Sequence, residues 1–365
     1  MDCKGMSRLR IGIIGCGSVA QIIHLPTLNQ LNDLFEVTAL CDVSLNVLAG
    51  VGDDWGIAMR VTDYQDLLAL DTIDAVLIAN PDVYHAEITI AALRAGVHVL
   101  VEKPMCLNLA ENDAIIAAEK ETGKTVQVGT MRRYAPAFIE ACRLVQDMDE
   151  IRLAKVHDLI GRNSLVIEPT SRVVPADDIP DAVSESMRER TAEQIRAAIG
   201  DAPPALRTAY RMMLGLSTHD LSAMREMLGM PQRVLYASQR CGGRYQTAAF
   251  DYGDYICQFS TGVDNIPRFD TYLQVYGDDR VVRVDYDTPF VRNLPIRLTV
   301  TETSDGMNKR QTVTHPGWGD AFTEEWRAFH HNVLTGQPAK SSPQDFRNAL
   351  VLFRDMIQLM GGASG

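Results

Sequence analysis

The chain has 365 residues, 46% hydrophobic and 22% charged, which is ordinary for a soluble globular protein and exceeds the usual single-domain size. Its formal net charge of -12 argues against general binding to nucleic acid or an anionic membrane, since both are polyanions. No apolar run approaches the ~20 residues that a membrane span needs, and seven cysteines stand singly with no Cys-x-x-Cys pair. Scattered single thiols predict a reduced, cytoplasmic protein without a disulfide frame.

In chain order, residues 10–14, 35–41, 75–78, 98–101 and 125–128 read as strands, most of them continuous apolar runs of the kind covered on both faces. Helical stretches at 86–95 and 109–122 lie between them and stop at Gly96 and Gly123. Strand and helix alternation of this kind predicts a doubly wound, parallel Rossmann sheet over about residues 1–130. Gly15-Cys16-Gly17-Ser18-Val19-Ala20 follows the first strand directly and opens a helix. The first glycine permits the tight turn, the second lets a pyrophosphate approach the backbone, and the small Ala20 lets helix and strand pack closely. The free N–H groups of that helix start favour phosphate. Asp42, 22 residues beyond Ala20, ends the second strand, where a carboxylate can accept both ribose hydroxyls of the adenosine; as a turn residue it can also cap the following helix. No Lys or Arg lies between residues 43 and 50 to neutralise a 2′-phosphate, so NAD is favoured over NADP.

From about residue 150 the texture changes. Segments 154–160, 233–239, 245–252, 255–260, 271–276, 281–286 and 296–303 are β-rich, and Gly253-Asp254 and Gly277-Asp278 fall where tight hairpin turns belong. They predict an α+β domain over residues 131–342, with a large, mainly antiparallel open sheet and helices, including 217–228, on one face. A polar stretch at 163–209 interrupts the pattern and carries one helix near 180–199; a lid or an oligomer arm are both open for it. Two helices close the chain, at about 321–334 and 343–360, with Ser342 and Pro343 as N-cap and first-turn residues; the last helix can pack back on the first domain.

The order and spacing of several segments resemble the Gfo/Idh/MocA oxidoreductases, the group of glucose–fructose oxidoreductase and inositol dehydrogenase. These are the fingerprint, His24-Leu25-Pro26, Asn80-Pro81 with His85, Glu102-Lys103-Pro104, Val128-Gly129 followed by Arg132, Arg133 and Tyr134, His219-Asp220, and the closing pattern through Trp326, Phe329, Gly336 and Pro343. The resemblance implies a nicotinamide dinucleotide held by Gly15 to Ala20, Asp42, Asn80, Pro81, His85, Glu102 and Lys103, and oxidation of a secondary alcohol of a sugar or cyclitol. It implies that Lys103 points at the reacting centre, across a Lys103–Pro104 bond of a kind that is often cis.

Family dehydrogenases commonly carry Asp-x-x-x-His on the helix facing the nicotinamide. His219 matches the histidine, but Gly215 stands where the aspartate belongs. His219 is the natural base, because its unperturbed pKa lies near 6.5, and Lys103 stabilises the developing alkoxide or is next in line as base. Asp220 cannot replace the missing carboxylate, since adjacent helical residues point about 100° apart. Strand alternation turns His157 and Leu159 to one face and Asp158 to the other, which makes His157 a candidate to replace part of what Gly215 lost. Arg132, Tyr134 and Asn163 are candidates to bind substrate hydroxyls.

No set of residues has metal-ligand spacing, and no Gly-x-Ser-x-Gly elbow marks a hydrolase. Two other functions stay open: NAD-dependent glycoside cleavage or lyase chemistry through transient oxidation, and a non-catalytic NAD-binding sensor. The resemblance further implies a homodimer or homotetramer formed through the open sheet face, for which Tyr272, Val275, Tyr276, Val282, Val284 and Tyr286 are the candidate contacts.

Overall fold

A computed structural model of the chain describes residues 8–362. Cys3, one of the single cysteines, lies outside the described residues. Strands β1 (Leu9–Ile14), β2 (Phe35–Cys41), β3 (Met59–Val61), β4 (Ala75–Ile78), β5 (His98–Glu102) and β6 (Val126–Gly129) alternate with helices α1 (Leu25–Gln30), α2 (Leu45–Trp55), α3 (Tyr64–Leu68), α4 (His85–Arg94) and α5 (Leu109–Thr122). There follow α6 (Pro136–Gln146), β7 (Leu153–Gly161), α7 (Ser164–Thr170), α8 (Asp181–Ile199), α9 (Pro204–Met212) and α10 (Thr218–Leu228). Seven more strands come next: β8 (Arg233–Arg240), β9 (Tyr245–Asp251), β10 (Ile256–Asp264), β11 (Phe269–Tyr276), β12 (Arg280–Tyr286), β13 (Arg297–Glu302) and β14 (Arg310–Thr314). Helices α11 (Ala321–Thr335) and α12 (Pro343–Gly362) close the chain.

The chain divides into two compact units. The first holds the residues up to Gly129, together with Ser171–Ala198 and Glu325–Asn348. Its six strands are parallel in the order β3-β2-β1-β4-β5-β6, the doubly wound arrangement. Ile11, Ile13, Leu40, Leu77 and Leu100 are fully buried, and Phe35, Trp326 and Phe329 join them in one core. The capping residues explain why the helices start and stop where they do. Ser44 caps α2 by accepting the Val47 N–H, and Gly56 ends it at φ 67°. Asn108 caps α5 by accepting the Glu111 N–H, and Gly123 ends it at φ 65°.

The second unit holds Thr130–Thr170, Ile199–Glu324 and the residues from Ala349. Its eight strands run β14-β13-β12-β11-β7-β10-β9-β8, antiparallel except where β7 and β10 pair in parallel. Gly253 and Gly277 fall in the β9–β10 and β11–β12 connections, Gly253 at φ 85°. Helices α6 and α10 pack on one face of this sheet. The polar stretch 163–209 is split between the units: α7 stays with the second, while 171–198, with most of α8, packs on the Rossmann sheet's own unit.

Candidate active site

In the first unit the fingerprint is built as a phosphate turn. Gly15 takes φ +92°, and a Cβ there would lie 2.2 Å from the Asn80 backbone nitrogen, so only glycine fits. At Gly17 a Cβ would meet nothing within 4 Å, leaving open backbone for a ligand's close approach. The Asp42 carboxylate accepts the Cys16 N–H at 2.8 Å and the Ser44 N–H at 2.9 Å, tying the end of β2 to the fingerprint while each oxygen keeps lone-pair capacity for a hydroxyl. This arrangement fits a dinucleotide: open glycine backbone, the start of a helix at Ser18, and a carboxylate at the ribose position.

The fingerprint helix passes through a π turn at Ala20–His24 before α1. His24 is fully buried; its Nδ1 accepts the Trp326 indole N–H at 3.1 Å and its Nε2 meets Glu102 Oε1 at 3.0 Å. Because an indole nitrogen can only donate, Nδ1 carries no proton, and Nε2–H donates to Glu102. Burial pushes the Glu102 carboxyl up, but the His24 hydrogen bond and the nearby Lys103 charge outweigh it, holding the carboxyl below its ordinary range. The second oxygen of Glu102 accepts the Lys103 N–H at 3.1 Å. The Lys103–Pro104 bond is cis, and the Lys103 side chain is half-buried. His85, itself buried, places Nδ1 2.8 Å from the Pro104 carbonyl and Nε2 2.7 Å from the Asn80 carbonyl, clipping the ends of β4 and β5 together. Pro81 follows Asn80 in that loop and is exposed. Cys16 is buried, and burial pushes its thiol up.

In the second unit, His219 lies in the first turn of α10, buried at 6% exposure, just after a π turn at Met213–Ser217. A Cβ at Gly215 in that turn would meet nothing within 4 Å. The neighbouring Asp220 is fully buried and paired with Arg132, whose Nη1 also holds Asp158 Oδ2 at 3.1 Å; Thr271 Oγ1 donates to the other Asp158 oxygen at 2.6 Å. Two carboxylates face one guanidinium. Burial, then the Asp158 charge, holds the Asp220 carboxyl well above its ordinary range.

These placements revise several expectations. Arg132 is only 3% exposed and is held by both aspartates, so it is a brace beneath α10, not a free hydroxyl-binding group. His157 lies on the half-exposed face of β7, while Asp158, on the other, meets the α10 residue Asp220 through Arg132. His157 instead bonds Ser260 at 2.7 Å and Asp270 at 3.2 Å and stacks on Tyr272, so it cannot stand in for the missing carboxylate beside His219. Asn163 is exposed, and its carbonyl accepts the Val166 and Ile167 N–H groups at the start of α7. Tyr134 is buried in a short 3₁₀ turn. The candidate interface residues divide between the faces: Tyr272 and Tyr276 lie on the open one, whereas Val275, Val282, Val284 and Tyr286 are buried on the other.

The second unit also holds an open cleft bordered by Arg132, Pro136, Tyr286, Arg292, Trp318 and Phe322. The Tyr286 hydroxyl is buried there without a hydrogen-bond partner, and Trp318 is 79% exposed. The alternation marks Tyr286 only as a candidate interface residue, and no pattern marks Trp318, which lies in an irregular connection. Among the described residues, no group of His, Cys, Asp and Glu could hold a metal ion, and no helix is long and apolar enough to cross a membrane.

Comparison with known proteins agrees with this architecture. Residues 9–130 match the model of the Gfo/Idh/MocA oxidoreductase family with its NAD-binding Rossmann fold. The myo-inositol 2-dehydrogenase of Thermotoga maritima is 25% identical over 361 residues, 94% of each chain. The inositol 2-dehydrogenase of Salmonella typhimurium is 30% identical over 181 residues, 49% of this chain and 51% of that one. A 3-ketoreductase from Actinomadura kijaniata, solved with NADP and TDP-benzene, shares the fold with a TM-score of 0.71 at 21% identity, covering 97% of both chains. With its parallel six-stranded sheet, its glycine turn and its Glu-Lys-Pro strand end, the chain carries over residues 9–130 the NAD-binding Rossmann fold of the Gfo/Idh/MocA oxidoreductase family.

Proposed function

We propose that this protein is an NAD-dependent dehydrogenase that oxidises a secondary alcohol of a sugar, a sugar derivative or a cyclitol. The observation that carries the reading is the buried chain from Trp326 through His24 and Glu102 to the Lys103 N–H, which fixes the lysine-bearing turn at the end of β5. A surface lysine before a proline needs no such brace. The names of the inositol dehydrogenase relatives support the substrate class.

A bound nicotinamide would supply the acceptor for the hydride that leaves the carbinol carbon. The residues of the chain do the rest. The backbone around Gly17 and the helix start hold the pyrophosphate, and Asp42 accepts the ribose hydroxyls. His219 accepts the hydroxyl proton as general base, and the Lys103 ammonium stabilises the alkoxide as it forms. The Arg132, Asp158 and Asp220 group anchors the helix that bears His219. Asp42 and the lack of any Lys or Arg between residues 43 and 50 favour NAD over NADP. None of the six described cysteines forms a disulfide, in keeping with a cytoplasmic location, and the open sheet face around Tyr272 and Tyr276 suits self-association.

The test is a panel of cyclitols and sugars given to the purified protein with NAD, read as the near-ultraviolet absorbance of NADH. Substrate-dependent NADH that disappears in His219→Ala supports the reading. Tight NAD binding with no NADH from any polyol counts against it, and release of aglycone without net NADH would turn the reading to glycoside cleavage through transient oxidation.

A further inference from the structure

Ser171–Ala198 belongs to the first unit and is fastened across the mouth of its sheet. The Val174 N–H donates to Gln21 Oε1 at 2.8 Å, and its carbonyl accepts from Gln21 Nε2 at 3.1 Å; the same Nε2 holds the Cys16 carbonyl at 2.8 Å. Val174 also covers α2 at Gly50, where a Cβ would come within 2.9 Å of it. Further on, Arg190 pairs with Glu87 and lies 4.9 Å over the Tyr84 ring, and Gln194 Nε2 reaches the Val83 carbonyl at 3.2 Å. This strap therefore touches the connections after β2 and after β4, on either side of β1 and its glycine turn.

Between these anchors, the Asp178 carboxylate accepts the Ser44 hydroxyl and, at 3.1 Å, the Asn46 N–H. Asp177 accepts from the Asn46 side-chain amide at 2.7 Å. The Ser44 N–H is already held by Asp42 at 2.9 Å. The turn after β2 is where a dinucleotide's adenosine ribose lies, and a 2′-phosphate on that ribose needs donors or a cation from this turn. Here the donors are occupied by the chain itself, and two carboxylates stand where a phosphate dianion would arrive.

We infer that Asp178, assisted by Asp177, is a cofactor-selectivity residue: the strap carries its carboxylate into the turn after β2, so that NAD is accepted and NADP refused. The inference rests on the dinucleotide reading above, and it assigns to the interrupting polar segment a role that the glycine fingerprint does not contain.

Dissociation constants of NAD and NADP, measured by calorimetry on the full chain, test it without any substrate. Asp178→Asn and the double variant Asp177→Asn/Asp178→Asn keep the side-chain size and an accepting oxygen, and melting curves confirm that they fold. The wild type is expected to prefer NAD. In the double variant NADP binding should tighten by about tenfold, with NAD changed by less than about threefold, and the effect should shrink as salt rises. An unmoved ratio of the two constants in both variants, or a wild type that binds NADP as tightly as NAD, would overturn the inference while leaving dinucleotide binding intact. A wild type that binds neither would overturn both readings.

Discussion

His24 and Glu102 lie 78 residues apart in sequence and meet at 3.0 Å in the interior of the Rossmann unit, with the imidazole tautomer fixed by the indole of Trp326. Trp326→Phe removes the indole donor together with part of the buried ring. Unfolding free energy measured by urea should fall by about 1–3 kcal/mol, the cost of leaving a buried acceptor without its partner. An unchanged value would mean that the Trp326–His24 hydrogen bond adds nothing to stability.

The Arg132 group makes an asymmetric prediction. Burial and the Asp158 charge favour the neutral form of Asp220, so Asp220→Asn should cost no more than about 1 kcal/mol. Arg132→Met leaves Asp158 buried without its cation and should cost about 3–5 kcal/mol. Equal costs in urea unfolding would contradict a raised pKa at Asp220.

His98 supplies a pH dependence. Its Nδ1 accepts the Thr125 N–H at 3.1 Å, which requires the neutral ring, and burial lowers its pKa to about 4 from 6.5. The folded state then binds the proton more weakly than the unfolded chain. Stability from this group is complete above pH 6.5 and is lost as pH falls toward 4. Urea unfolding of the wild type and His98→Gln across that window should show a smaller acid loss in the variant.

Gly215 has open space around its missing side chain, so Gly215→Asp should fold. A carboxylate one turn before His219 favours the imidazolium, and the acid limb of kcat/KM should move to higher pH by about one unit. A limb that stays in place would mean that the introduced carboxylate does not reach the imidazole.

The parallel strands were legible because they are continuous apolar runs, and the glycine turn because the geometry at Gly15 tolerates no side chain. Two strands escaped notice: β3 has three residues, none of them buried, and every residue of β14 is exposed, so neither carries a hydrophobic pattern. Alternation correctly separated His157 from Asp158, but which face is covered depends on where α6 and α10 pack, a tertiary fact. Trp326 and His24 are 302 residues apart, and Asp178 and Ser44 are 134 apart, so no local pattern announces either contact. The polar run around Asp177 and Asp178 reads locally as a loop; its meaning comes from the turn it reaches.

The most direct test of the central claim is a comparison of wild type, Lys103→Ala and His219→Ala for NAD affinity and for turnover on whichever polyol yields NADH. The account predicts that both variants keep NAD binding within about threefold and lose about 10²-fold or more in kcat, since each removed group acts on the reacting alcohol. Turnover retained in both variants, with NAD still bound, would contradict it.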